Sequence, residues 1–102
     1  MLSSSDYQLI ITDPALEDLE SIAGYTSLRW GENQAIKYSD RLFEVISAIA
    51  ENPDTGRSRY GVPEAIKGLA SGRHIVFYRV EGRVIYIMRI LHDSMDHGRH
   101  LQ

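Results

Sequence analysis

Arg73-His74-Ile75-Val76-Phe77-Tyr78-Arg79-Val80, then Glu81-Gly82, then Arg83-Val84-Ile85-Tyr86-Ile87-Met88-Arg89-Ile90-Leu91-His92, is the stretch whose reading decides the fold. Two runs rich in β-branched and aromatic residues, parted by a glycine-containing turn, read as a β-hairpin. Both runs are so apolar that neither face of the hairpin can be left wholly in water. The question that organises the rest of the chain is what covers each face.

The turn sets the register. Glu81 is a poor residue for the positive φ of a two-residue primed turn, so the sequence predicts a three-residue loop, Val80-Glu81-Gly82, with Gly82 left-handed and Arg79 facing Arg83. One face then carries Arg73, Ile75, Phe77, Arg79, Arg83, Ile85, Ile87, Arg89 and Leu91. The other carries His74, Val76, Tyr78, Val80, Val84, Tyr86, Met88, Ile90 and His92. A slip of one residue would mix the two sets. The second set suits a helical layer. The first mixes arginines with aliphatic residues and suits a partner, or the chain's own C-terminal tail and long loop.

Outward from the hairpin, Tyr7 to Thr12 reads as a short strand stopped by Asp13-Pro14. Asp13 is placed to cap the following helix, with Pro14 at its first position and Glu17 and Asp18 complementing the helix dipole. Ala15, Leu19, Ile22, Thr26 and Trp30 then recur at helical spacing until Gly31. Ala35, Tyr38, Leu42, Val45, Ile46 and Ile49 form a second stripe, stopped by Asn52-Pro53. So short a connection makes the pair an antiparallel helical hairpin. Asn52 to Glu64, with two prolines and two glycines, is the one long loop. Ala65 to Ala70 reads as a weak edge strand, turning at Ser71-Gly72 into the hairpin. The segment after His92 is polar and short.

The order β-α-α-β-β-β predicts an α+β fold of two layers: an N-terminal strand, an antiparallel helical hairpin, then a three-stranded antiparallel meander. By counting reversals, strand one should run antiparallel to strands two and four and parallel to strand three. The edge beside strand four is the preferred place for it. With 102 residues, residues 1–102 are read as a single domain.

Composition narrows the class. Hydrophobic residues at 43% and charged residues at 25% are ordinary globular values, which sets aside disorder and fibres. The absence of cysteine excludes disulfide and thiolate chemistry and suits a reducing cytoplasmic compartment. No apolar run reaches the ~20 residues of a membrane span, and Met1 to Asp6 lacks the basic and apolar regions of a secretion signal. The net charge of −3 is unevenly spread. Residues 1–55 hold ten acidic groups against three basic; residues 56–102 hold four acidic against eight basic and all four histidines. A basic hairpin meeting an acidic partner is the sharper reading of that asymmetry, and a solvated surface of mixed sign the plainer one. The negative total argues against nucleic acid as the main ligand.

No catalytic motif is complete: there is no P-loop, no G-x-G-x-x-G, no H-E-x-x-H and no G-x-S-x-G. His92, Asp93, Asp96, His97 and His100 superficially resemble metal ligands, but nothing in that polar tail would hold them in geometry. His74 and His92 beside Arg73 and Arg89 are the one cluster able to move a proton next to a phosphate. Trp30 reads as core filling beside the helix turn, with an interaction anchor as the alternative.

These pieces, in order, resemble one family. Asp13-Pro14-Ala15, Asp18-Leu19, Ile22, Tyr25, Arg29-Trp30-Gly31, Ala35, Tyr38, Leu42, Asn52-Pro53, Gly56, Gly72, His74, Phe77-Tyr78-Arg79 and Arg89-Ile90-Leu91-His92 together resemble the ParE toxins of ParDE type II toxin-antitoxin systems, within the ParE/RelE superfamily. The resemblance implies a non-enzymatic toxin that blocks replication by trapping DNA gyrase in its cleavage state, without cofactor or metal. It implies neutralisation by a ParD-like ribbon-helix-helix antitoxin in a hetero-oligomer, DNA being met only through gyrase or antitoxin. An acidic antitoxin segment laid on the hairpin would contact Arg73, Ile75, Phe77, Arg79, Arg83, Ile87, Arg89 and His92. The alternative within the superfamily is a RelE-like, ribosome-dependent mRNA endonuclease. Against it, Ile75 stands where that branch carries an arginine, Asp93 where it is basic, and Tyr86 is the last tyrosine. An inactive antitoxin-binding module is the third reading.

Overall fold

The computed structural model describes residues 6–101, so the N-terminal reading over Met1 to Ser5 lies outside the described residues. The chain runs β1 (Gln8–Ile11), α1 (Asp13–Trp30), α2 (Glu32–Glu51), a 3₁₀ turn (Pro53–Thr55), β2 (Lys67–Ser71), β3 (His74–Glu81), β4 (Val84–His92) and a short α3 (His97–His100). The four strands form one mixed sheet in the order β1-β4-β3-β2, with β1 on the expected edge beside β4.

The helices form where apolar spacing and terminators agree. Gly31, at φ 92°, ends α1, and its N–H reaches back to Ser27 O. The cap at the other end differs from expectation. Thr12 is the N-cap and Asp13 already lies inside α1, while the Thr12 hydroxyl donates to Ile87 O (2.8 Å) and Met88 O (3.2 Å) on β4. Thr12 therefore ties the helix start to the sheet instead of capping the helix. Ala15, Ile22, Leu42, Ile46 and Ile49 pack onto Val76, Tyr78, Ile85, Ile87 and Ile90. Burying a side chain the size of Leu42 contributes roughly 1.5–3 kcal/mol.

The direction of β1 departs from the count of reversals. It pairs parallel with β4, Gln8 opposite Val84 through Ile11 opposite Ile87. The missing reversal lies in the long loop, where Arg57 bridges antiparallel to Gly68 through two backbone hydrogen bonds of 2.9 and 3.0 Å. That one bridge adds a pass alongside the sheet and inverts every later strand relative to β1.

The hairpin register also differs. Glu81 pairs with Val84, leaving a two-residue turn of Gly82 and Arg83, and only Gly82 has a positive φ (59°). This is the pattern of a II′ turn, which needs glycine at its first central position only and so places no burden on Glu81. Tyr78 faces Ile87, yet Phe77 faces Arg89, so Met88 is the extra residue of a β-bulge. Below the bulge Ile85 and Ile87 move to the helical side, while Met88 packs on the opposite face. Above it Ile90 and Leu91 sit on the faces expected of them. On β3 the expected alternation holds throughout, with Val76 and Tyr78 toward the helices and Ile75 and Phe77 away.

The far face of the sheet is covered by the chain itself. Ile75, Phe77 and Leu91 pack with Ile66 and Leu101, flanked by Val62 and Met88. The tail is thus a structural cover and not only a polar end. His97 lies over Phe77, ring centroids 5.0 Å apart, and its Nε2 is 2.9 Å from His92 O. A Cβ on Gly98 would lie 2.3 Å from Gly61 O, so the tail and long loop meet backbone to backbone there.

Candidate functional site

The eight residues expected to contact a partner do not form one surface. Ile75 and Phe77 are buried beneath Leu101 and the long loop, at 5% and 0% exposure. Ile87 is fully buried on the helical side, because the two-residue turn shifts it there. Arg89 is withdrawn into an ion pair. Its Nε and Nη2 donate to Asp18 Oδ2 (2.7 Å) and Oδ1 (2.9 Å), and that hydrogen bonding holds the guanidinium above its ordinary pKa. Asp18 also accepts the Ile90 N–H at 2.9 Å, so its role is to cap the edge of β4 beyond the end of β1.

The accessible members sit at opposite ends of the hairpin, separated by the length of β3, about 26 Å at ~3.3 Å per residue. At the turn end, Arg79 pairs with Glu81 and lies 4.7 Å from the Tyr86 ring centroid, and Arg83 donates to Asp6 O at 3.2 Å. At the other end, Arg73 and His92 help line a cleft of about 410 Å³ between the Gly31 end of the helical hairpin and the sheet. Its walls are aromatic, with Tyr25, Trp30 and Tyr38 from the helices and His74 from β3.

One hydroxyl organises this cleft. Tyr38 Oη accepts the Arg73 N–H (3.0 Å) and lies 2.6 Å from His74 Nδ1 and 3.3 Å from Ser71 O. Through the shortest of these contacts Tyr38 holds the His74 ring by its Nδ1. His74 meets the Tyr38 ring and the His92 ring edge-on, both at 5.4 Å. Burial, and then the neighbouring His92, hold His74 below its ordinary pKa, against weaker upward pulls from Asp93 and Asp18. His74 is accordingly neutral near neutral pH. His92 Nδ1 lies 3.2 Å from Ser94 N, 2.8 Å from Ser94 Oγ and 3.1 Å from Asp93 Oδ1. Gly72 makes the approach possible, since at φ 59° a Cβ there would fall 2.9 Å from the Tyr38 ring.

Trp30 is not core filling: it is 67% exposed, and Tyr25 60%. Arg29 lies over both rings, its guanidinium carbon 5.7 and 6.0 Å from their centroids. The pairing of His74 and His92 with Arg73 was legible as a cluster; Tyr38 was not, because it reads as one more apolar position of the α2 stripe. Among the described residues no group of three or more His, Asp or Glu side chains converges to hold a metal, so the tail residues Asp93, Asp96, His97 and His100 do not assemble one with His92. No helix among them is long and apolar enough to cross a membrane.

Two helices on one face of a four-stranded mixed sheet, with a basic and aromatic cleft at one end, define a small α+β class of protein. Comparison with known proteins gives the class its family. A family model described as ParE toxin of type II toxin-antitoxin system, parDE, matches residues 9–97, and the chain belongs to that family. Toxin ParE1 of Caulobacter vibrioides is 42% identical over 87 residues, covering 85% of this chain and 90% of its own length. Toxin ParE1 of Mycobacterium tuberculosis H37Rv is 37% identical over 93 residues, covering 90% and 95%. A solved structure described as the chromosomal ParDE TA system from P. aeruginosa superposes with a TM-score of 0.76 at 22% identity, covering 85% of this chain and 96% of that one. At that identity the likeness establishes a shared fold.

Proposed function

We propose that this ParE-family toxin inhibits DNA gyrase, and hence replication, in the cytoplasm, as a single domain acting by protein-protein contact without a cofactor. A ParD-like ribbon-helix-helix antitoxin neutralises it in a toxin-antitoxin hetero-oligomer, through which, as through gyrase, it meets DNA. The observation that carries this reading is the family match across residues 9–97, together with curated relatives named Toxin ParE1 over nine-tenths or more of their lengths.

Charge complementarity supports the partner. The accessible cations at the two ends of the hairpin, Arg73 and Arg83 with the half-buried Arg79, suit an acidic antitoxin segment lying along it, and His92 lies beside Arg73. Ile75 and Phe77 join such a contact only where the segment around Leu101 is displaced.

Purified gyrase tests the reading. Added protein should abolish supercoiling and accumulate cleaved DNA, and a ParD-like antitoxin should reverse both effects. Ribosome-dependent mRNA cleavage with gyrase untouched would overturn it in favour of a RelE-like activity; no effect in either assay would point to an inactive antitoxin-binding module.

A further inference from the structure

The cleft lined by Tyr25, Trp30, Tyr38, Arg73, His74 and His92 carries more binding chemistry than the fold consumes. Its volume, about 410 Å³, is that of a small-ligand site. Among the described residues no acidic side chain lines it. Arg73 has no ion-pair partner among the described residues, and His74 and His92 are both engaged through Nδ1, which leaves each Nε2 without a partner there. The cleft's two most exposed rings, Trp30 and Tyr25, stand at its mouth with Arg29 over both. Large rings left in water at a helix end contribute little to folding; as a platform for a planar group they contribute to binding.

Flat apolar walls, uncommitted donors and a local excess of positive charge together select a ligand with a planar part and a compact anionic part. A guanidinium with two imidazoles beside it matches the several terminal oxygens and double charge of a phosphate better than the two oxygens of a carboxylate. We propose that this cleft binds a nucleoside 5′-monophosphate unit, its base against Trp30 and Tyr25 and its phosphate held by Arg73 with the imidazoles of His74 and His92. The inference goes beyond gyrase inhibition and does not depend on it. The unit is either a free nucleotide or one residue of a DNA single strand.

Trp30 is the one tryptophan in the chain, so its fluorescence reports the site directly. The full-length protein is titrated with dAMP, deoxyadenosine, inorganic phosphate, indole-3-acetate and a short oligodeoxynucleotide. Saturable quenching by dAMP is expected, with deoxyadenosine, phosphate and indole-3-acetate each at least about tenfold weaker, because each lacks the base, the phosphate or its charge. Arg73→Ala and Tyr25→Ala, both at exposed side chains, should each weaken dAMP by about tenfold, while Arg83→Ala at the far turn leaves it unchanged. An oligodeoxynucleotide binding about tenfold tighter than dAMP assigns the site to a strand, and equal affinity assigns it to free nucleotide. Absence of saturation at millimolar dAMP, equal affinity for indole-3-acetate, or an unchanged Arg73→Ala variant overturns the proposal.

Discussion

Replacing Tyr78 by phenylalanine removes one oxygen atom from the centre of the molecule. The Tyr78 side chain is fully buried on β3, and its hydroxyl accepts the buried Gly56 N–H (2.8 Å) and donates to Pro53 O (2.6 Å). Those two bonds fasten the end of α2 and the start of the long loop to the sheet. Burial holds the phenol above its ordinary pKa, so the proton that Pro53 O receives stays in place. Phenylalanine keeps the packing but leaves an N–H inside with no acceptor. A donor stranded in this way costs about 1–3 kcal/mol. Because Pro53 is half-exposed and its carbonyl regains water, the total should fall near ~2 kcal/mol. For a domain of this length that lowers the melting temperature by roughly 8–16 °C. Urea unfolding gives the free energy directly, and Tyr86→Phe serves as the control on the same hairpin. A Tyr78→Phe variant within about 0.5 kcal/mol of the parent, the range of an ordinary surface change, would refute the account of how the loop is anchored.

Asp18→Ala should destabilise by about 2–3 kcal/mol in urea, since it strands both the Arg89 guanidinium and the Ile90 N–H, with Asp18→Asn losing less because it still accepts from Ile90. His74 makes stability depend on pH with a definite sign. Its native pKa lies below the ordinary 6.5, so the unfolded chain takes up the proton first; the stabilisation is complete above about pH 6.5 and declines as pH falls below it. The difference in melting temperature between the parent and His74→Gln should shrink on that acid side, and an NMR titration should place the His74 midpoint below that of an unstructured histidine. Arg79→Glu with Arg83→Glu should weaken antitoxin binding while leaving the unfolding midpoint almost unchanged; unaltered affinity in a titration calorimeter would exclude the turn end of the hairpin as a contact.

What could be read from residue order was whatever depends on periodicity. The stripes of α1 and α2, the stops at Gly31 and Asn52-Pro53, and the two faces of β3 all follow from spacing, and the structure has them. What escaped were single residues that alter parity. Met88 looks like one more apolar strand residue, yet as a bulge it returns Ile90 and Leu91 to their expected faces after the two-residue turn has swapped those of Ile85 and Ile87. Arg57 looks like loop, yet its bridge to Gly68 reverses the sense of β1. Neither leaves a signal in composition, because each depends on pairing across the sheet. The site divides in the same way. Arg73, His74 and His92 could be grouped from their positions at strand ends, whereas Tyr38 enters only through a turn at Gly72 that lets its hydroxyl reach three groups.

The parallel pairing of β1 with β4 has a consequence for how the molecule comes into being. The first strand made by the ribosome must wait for a partner synthesised some 75 residues later, as the separation of Thr12 from Ile87 measures. The Asp18 to Arg89 contact spans 71 residues. Closing such long loops is slow and contributes nothing until the late strand arrives. A nascent chain lacking β4 has no place to dock β1, no edge for Asp18 to cap and no wall of the cleft at His92. The pairing of β1 with β4 is thereby among the last contacts that synthesis of the chain makes available.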